Sequence, residues 1–203
     1  MIIAVDGPAA SGKGTVAKAL AAHYGLPHLD TGLIYRAVGV ATVRAGGSPD
    51  KAEDVIQSCA FDDGLLLDPE LRSEAAGGFA SRASIHPAVR AALLKRQQDF
   101  ANQPGGAVLD GRDIATVIAP HADAKLFVTA SPEARARRRQ LDDPDHAYEA
   151  ILAGIITRDA RDSGRSDAPL RQAPDADLLD TSNLTIDSAV QRAIALVEAR
   201  LKR

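Results

Sequence analysis

The chain has 203 residues, 45% of them hydrophobic, which is enough apolar material for one good core and too little for two full-sized domains. Tryptophan is absent and aromatic residues make up only 3%, which withholds the stacking platforms that hold single-stranded nucleic acid. The net charge is −3, yet arginines gather at Arg135, Arg137, Arg138 and Arg139, so positive charge is concentrated where a compact anion fits rather than spread along a polymer groove.

The single cysteine, Cys59, cannot form an intrachain disulfide, and no Cys/His spacing matches a zinc site; both suit a reducing, cytoplasmic setting. The apolar run at residues 1–5 lacks a basic leader and stops at Asp6, too short for a signal peptide. No later stretch reaches membrane-spanning length.

Residues 1–5 read as a buried parallel strand. GPAASGKGT follows at 7–15 and opens a helix carrying Val16, Ala17, Ala19 and Leu20, which is the strand–loop–helix context a phosphate-binding loop requires. Gly7, Gly12 and Gly14 let backbone N–H groups face inward. Pro8, Ala9, Ala10 and Ser11 complete the turn, and Lys13 reaches the terminal phosphates of a nucleotide. Gly14 stands where Ser or Thr would ligate magnesium, so Thr15 becomes the candidate hydroxyl.

A second strand at 27–29 ends at Asp30. Between about 45 and 78 the pattern loosens, with Gly46-Gly47, Asp63-Gly64 and Gly77-Gly78 as punctuation and one short strand-like run at 65–67; this reads as an insertion on the core, not a separate domain. Pro87 opens a helix whose Val89, Leu93 and Leu94 face a core, with Arg90 on its polar side. Strands follow at 107–109 and 124–128. Ser131-Pro132 starts a helix, a turn is expected at Asp142-Asp143-Pro144, and a second helix reaches about Ala160; the pair forms a candidate lid. A last strand at 176–179 precedes the clearest helix, with Ile186, Ala189, Val190, Ala193, Ile194, Val197 and Leu201 at helical spacing and Thr185 as N-cap.

Alternation of this kind predicts an α/β layered fold with a mostly parallel sheet and ligands at the carboxyl ends of its strands. Asp6, Asp30, Asp110 and Asp180 fall at those ends, although an aspartate leaving a strand equally serves to cap a turn. No guanine-reading NKxD signature is present, and the chain is short for a motor ATPase, so a small-molecule kinase leads.

Four further blocks come in order: LDTGLIYR (29–36), ASRASIHPAVRAALLKRQ (80–97), LDGRDIATV (109–117) and RDARDSGRSDAPL (158–170). In order, spacing and content the chain resembles bacterial cytidylate kinases along almost its whole length. The resemblance implies a P-loop nucleoside monophosphate kinase fold: a five-stranded parallel sheet flanked by helices, with core at about 1–36 and 105–203, a monophosphate-binding insertion at about 37–104 and a helical lid at about 131–165. It implies transfer of the ATP γ-phosphoryl group to CMP or dCMP with Mg2+, by a cytoplasmic monomer that engages neither nucleic acid nor membrane.

Residue by residue, the resemblance places the acceptor phosphate with Thr31, Tyr35, Arg36 and Arg112, and the cytosine ring with Ser81, Arg90 and Asp113. It places phosphates with Arg158 and Arg165 and the sugar hydroxyls with Asp162. A carboxylate accepting from cytosine N4 is the expected reader of that base, since uracil presents a carbonyl there. Lys13, Arg158 and Arg165 are the expected catalytic cations. Arg135, Arg138 and Arg139 share a helix face and are expected over ATP, with Thr15 and Asp110 toward magnesium, directly or through water. Without the resemblance, Arg36 and Arg90 would read as surface residues and the 158–165 spacing as a salt-bridged helix face. The stretch from about 59 to 81 is shorter than in many members, where a small antiparallel sheet fills it.

Three other readings stay open on sequence alone. One is a kinase of the same fold acting on UMP, AMP, shikimate or dephospho-coenzyme A; another is an ATP-binding switch module; the third is nucleic-acid binding through the arginine cluster, which the acidic balance disfavours.

Overall fold

All five apolar segments become strands in the computed structural model, which describes residues 1–142 and 144–202. They are β1 (Ile2–Asp6), β2 (His28–Asp30), β3 (Ala107–Gly111), β4 (Ala124–Thr129) and β5 (Asp177–Asp180), joined in one sheet in the order β2-β3-β1-β4-β5. Strand β1 runs parallel to β3, from Ile2 opposite Ala107 to Asp6 opposite Gly111. It also runs parallel to β4, from Ile3 opposite Ala124 to Asp6 opposite Phe127, and β4 is parallel to β5. The central strands are nearly continuous apolar runs because both of their faces are covered.

The chain divides into two compact units, Met1–Leu29 with Phe100–Arg203, and Asp30–Asp99. In the first, helices α1 (Lys13–Tyr24) and α8 (Ile186–Leu201) supply Val16, Leu20, Ala193 and Val197 to one core with Ile3, Val5, Leu126 and Val128. Truncating a fully buried member such as Leu20 to alanine costs about 2–5 kcal/mol by transfer and cavity terms. Thr185 caps α8 as expected, its hydroxyl accepting from Ser188 N–H at 3.2 Å. The same unit carries α6 (Pro132–Asp142) and α7 (Tyr148–Ser163). Helix α7 runs three residues past the expected Ala160 and ends at Gly164, whose N–H is bonded to Ala160 O at 2.9 Å. The expected turn at Asp142-Asp143-Pro144 falls partly outside the described residues, at Asp143.

The second unit is helical: α2 (Thr31–Arg44), α3 (Ala52–Gln57), α4 (Glu74–Ala83) and α5 (Pro87–Ala101), the last crossing its boundary. Ala37, Val40, Leu71 and Ala76 form its cluster, with Leu33, Phe61, Leu65, Leu66 and Phe79 packed against it. Gly39 permits the close approach of α2 and α4, because a Cβ there would lie 2.7 Å from Phe79 Cβ. The strand-like run at 65–67 is instead part of a 3₁₀ turn, Asp63–Leu67. Asp62 accepts from Gly64 N–H at 2.7 Å and so offers the backbone a local alternative to pairing. Among the described residues 31–99 there is no strand to pair with, and Leu67 is 87% exposed.

Candidate active site

Gly7 leaves β1 with φ +156°, and a Cβ there would lie 2.0 Å from Val128 O, so the loop passes β4 at a distance only glycine allows. Gly12, in the left-handed region, is the N-cap of α1 and gives no side-chain cap bond. The N–H groups of the first helical turn therefore lack a side-chain partner at the cap and, with the helix dipole, suit an anion. Ser11 is fully buried, and its Oγ has no hydrogen-bond partner among the described residues, which in a buried hydroxyl points to a bound group.

Lys13 Nζ lies 3.9 Å from Asp110 Oδ2 at the end of β3. The other oxygen of Asp110, Oδ1, meets His28 Nε2 at 2.8 Å. A Cβ on Gly14 would lie 3.7 Å from Asp110 Oδ2, so the residue facing this carboxylate from the helix is Gly14. Thr15 is exposed and lines a cavity of about 470 Å³ with Gly12, Arg138, Arg139, Leu141 and Ile186. The two residues expected toward magnesium thus occupy different surroundings.

The three lid arginines also separate. Arg138 donates from Nη1 to Thr181 Oγ1 at 3.0 Å and from Nη2 to Thr181 O, and both Arg138 and Arg139 line the cavity. Arg135 corrects the expectation: it is 3% exposed and its guanidinium is committed inside the protein. It grips Asp159 through two bonds of 3.0 and 2.5 Å and also donates to Ala130 O and Ala9 O. It pins α6 to α7 and to the phosphate loop instead of facing the cavity.

Three of the expected residues, Arg112, Arg158 and Arg165, come together around a fourth, Asp162, which is 3% exposed. Arg112 Nε lies 2.9 Å from Oδ2 and Arg165 Nη2 lies 3.4 Å from Oδ1. Burial alone would raise the Asp162 pKa; the charges of Arg112, Arg165 and Arg158 outweigh it and hold the carboxyl below its ordinary value. Three guanidinium groups thus act on one carboxylate.

Asp113, 4% exposed, precedes a π-helical turn, Ile114–Ile118, and gives that turn no side-chain cap. The cap comes from Asp6, at the end of β1. Its two oxygens accept from Ile114 N–H and Ala115 N–H at 2.8 Å each. Burial pushes the Asp6 carboxyl up to about 7, against the pull of those N–H groups and with the Asp113 charge adding to it.

In the second unit, Thr31 (3% exposed) and Ser81 (4%) are buried, and Arg36 donates from Nη1 to Leu71 O and Ser73 O at 2.8 and 2.9 Å. Arg90 is 8% exposed, not on the polar side of α5, and its guanidinium lies 5.8 Å from the centroid of the Tyr35 ring.

Among the described residues no group of three or more His, Cys, Asp or Glu side chains could hold a metal ion, and no helix is long and apolar enough to cross a membrane. What the first unit offers is a phosphate cradle, a cluster of arginines about a buried carboxylate and a cavity sized for a nucleoside. Residues 3–199 match the family model described as cytidylate kinase.

The chain belongs to the cytidylate kinase family.

The cytidylate kinase of Caulobacter vibrioides (strain NA1000 / CB15N) is 60% identical over 204 residues, covering 97% of this chain and 95% of the relative. That of Rhodopseudomonas palustris (strain HaA2) is 57% identical, covering 98% and 96%. Among solved structures, an uncharacterized protein from Eubacterium ventriosum ATCC 27560 matches with a TM-score of 0.59 at 15% identity, over 98% of this chain and 99% of that one, a likeness of fold alone.

Sequence reasoning missed the partners that orient the family's residues here. His28 on Asp110, Asp159 on Arg135 and Thr181 on Arg138 carry no motif signal. Asp6 was visible only as one of four strand-end aspartates.

Proposed function

We propose that the chain transfers the γ-phosphoryl group of ATP to CMP or dCMP, giving ADP and CDP or dCDP. An oxygen of the acceptor phosphate forms the new P–O bond while the bond from the γ-phosphorus to the β,γ-bridging oxygen breaks and ADP departs. The acceptor phosphate is anionic near neutral pH, so no general base and no covalent enzyme intermediate are required; positioning and charge neutralisation carry the reaction. The observation that supports this best is the gathering of Arg112, Arg158 and Arg165 about the buried carboxylate of Asp162, which suits a phosphate-bearing acceptor better than a neutral one.

Lys13 and the N–H groups of residues 7–15 would hold the donor phosphates. Thr15, Arg138 and Arg139 would face the donor nucleotide in the cavity, where Leu141, Ile186 and Val16 offer apolar contact to a base. Arg36, Tyr35 and Thr31 are assigned to the acceptor phosphate, and Ser81, Arg90 and Asp113 to the cytosine. Asp162 is assigned to its sugar while also setting the arginines.

Magnesium fits a hard-oxygen site that contains one protein carboxylate and takes its remaining ligands from phosphates and water. Asp110, 1% exposed beside Lys13, is the residue that would hold it, directly or through water, and the ion would supply further neutralisation of phosphate charge. Thr15, pointing to the cavity, would belong to the nucleotide more than to the ion. We assign the monophosphate-binding role to residues 37–104 and the lid to 131–165, in a monomeric cytoplasmic enzyme that acts on free nucleotides.

The test is ADP release from Mg-ATP with CMP, dCMP, UMP and AMP offered separately at matched concentrations, beside a control without acceptor. Release with CMP and dCMP well above the others is expected. Release with none of them, despite ATP binding, would refute the acceptor assignment.

A further inference from the structure

An aspartate at a helical N-cap ordinarily accepts from the N–H groups of its own first turn. Asp113 occupies that position ahead of the π-helical turn at Ile114–Ile118 and makes no such side-chain bond. The first two donors of the turn lie in dry surroundings, Ile114 at 0% and Ala115 at 4% exposure, where an unsatisfied N–H is costly. Both are satisfied by Asp6, more than a hundred residues away in sequence, through twin bonds of 2.8 Å.

We propose that Asp6 is a positioning residue for base choice: by capping the turn from the end of β1, it keeps the Asp113 carboxylate from capping its own helix and holds it for the exocyclic amine of the acceptor base. The inference rests on the reading of Asp113 as the cytosine reader.

The Ala115 N–H is the donor that both carboxylates could take, and the fixed position of Asp6 settles which one does. Strand β1 is clamped on both sides, by β3 and β4, up to Asp6 itself, so the Asp6 side chain starts from a fixed point. With Asp6 in place the Ala115 N–H, one of the donors an N-cap side chain takes, is already occupied. Asp6→Asn leaves one acceptor oxygen and turns an NH2 toward a donor, which orphans one N–H and makes self-capping by Asp113 favourable. Rare π turns of this kind recur at functional sites, where a side chain must be aimed in a way a regular helix does not permit.

The experiment compares Asp6→Asn, Asp113→Asn and wild type by kcat/KM for CMP and for UMP, each expressed per folded enzyme. Loss of about one hydrogen bond's worth of orientation is expected to lower the CMP-to-UMP ratio about tenfold in Asp6→Asn, chiefly through a raised KM for CMP. A merely structural role would depress both substrates in equal proportion and leave the ratio where it was. If Asp113→Asn lowers the ratio and Asp6→Asn does not, the role of Asp6 is overturned and the base reading stands. If Asp113→Asn leaves the ratio unchanged, the base reading fails and the proposal falls with it.

Asp6→Glu, which keeps the charge and displaces it by a methylene, is the second variant if the asparagine form does not fold, and the same drop in ratio is expected. In the wild-type enzyme without nucleotide, the Ile114 and Ala115 amides are expected to resist hydrogen exchange; rapid exchange of both would overturn the capping role directly.

Discussion

Replacing Asp162 by alanine removes a carboxylate that holds Arg112 at 2.9 Å and Arg165 at 3.4 Å. Its side chain and that of Arg165 are each 5% exposed, so water cannot simply take over. Breaking a buried pair by deleting one partner costs about 3–5 kcal/mol, because the surviving charges are stranded. Arg112, at 16% side-chain exposure, retains some solvent and argues for the lower end, about 3 kcal/mol. Urea unfolding at pH 7 would read this loss.

Inorganic phosphate should restore part of the loss, and should stabilise the variant more than wild type, because the arginines that faced the Asp162 carboxylate then face an anion in its place. The pH dependence has a definite sign. The Asp162 carboxyl titrates below its ordinary 3.8 when folded, so its contribution is complete above the unfolded value and is lost as pH falls through the folded one. The gap between wild type and variant should therefore be flat from pH 7 to 5 and close in stronger acid. An unfolding free energy within about 0.5 kcal/mol of wild type, indifferent to phosphate, would refute the view that this carboxylate organises the cationic pocket.

Lys13→Ala is expected to lower turnover about 10²–10³-fold while the melting temperature stays close to wild type, since Asp110 keeps its bond to His28; near-normal turnover would remove Lys13 from the chemistry. Arg135→Met should cost about 3 kcal/mol in stability, by stranding Asp159 and freeing Ala130 O and Ala9 O. A loss confined to the KM for ATP, with stability intact, would return it to the nucleotide. Asp6 carries the opposite pH sign to Asp162: with its folded carboxyl raised from 3.8 to about 7, its contribution is full below the unfolded value and declines as pH rises toward the folded one. Comparing unfolding of wild type and Asp6→Asn, the balance should move toward wild type as pH falls from 7.5 to 5, by up to about 1.4 kcal/mol per pH unit; a gap independent of pH would show that burial does not perturb this group.

The sheet was legible because each strand is a short apolar run between turn signals, and the boundaries moved by two residues at most, at the end of β3. The residues 65–67 were misread because three leucines in a row carry no period, and the local grip of Asp62 decided the backbone where no neighbouring strand was on offer. Within the candidate site, the phosphate loop could be read directly, whereas the 158–165 spacing by itself reads as a salt-bridged helix face and reached the site only through the resemblance. Arg135 and Arg138 could not be told apart, since they stand three residues apart on one helix. What distinguishes them is Asp159 on another helix for the first and Thr181 beyond β5 for the second. Arg90 was equally opaque: its burial over Tyr35 is set by packing between helices separated by some fifty residues, which a helical wheel for α5 alone does not contain.

The rim of the cavity at Thr15 and Arg138 includes Leu141, whose side chain is 85% exposed, in a chain that contains no tryptophan. An indole introduced at Leu141 would therefore fluoresce against an empty background from the edge of the nucleotide cavity itself. It would let occupancy be followed in real time by intrinsic emission, without labelled nucleotide and without altering any side chain assigned to phosphate.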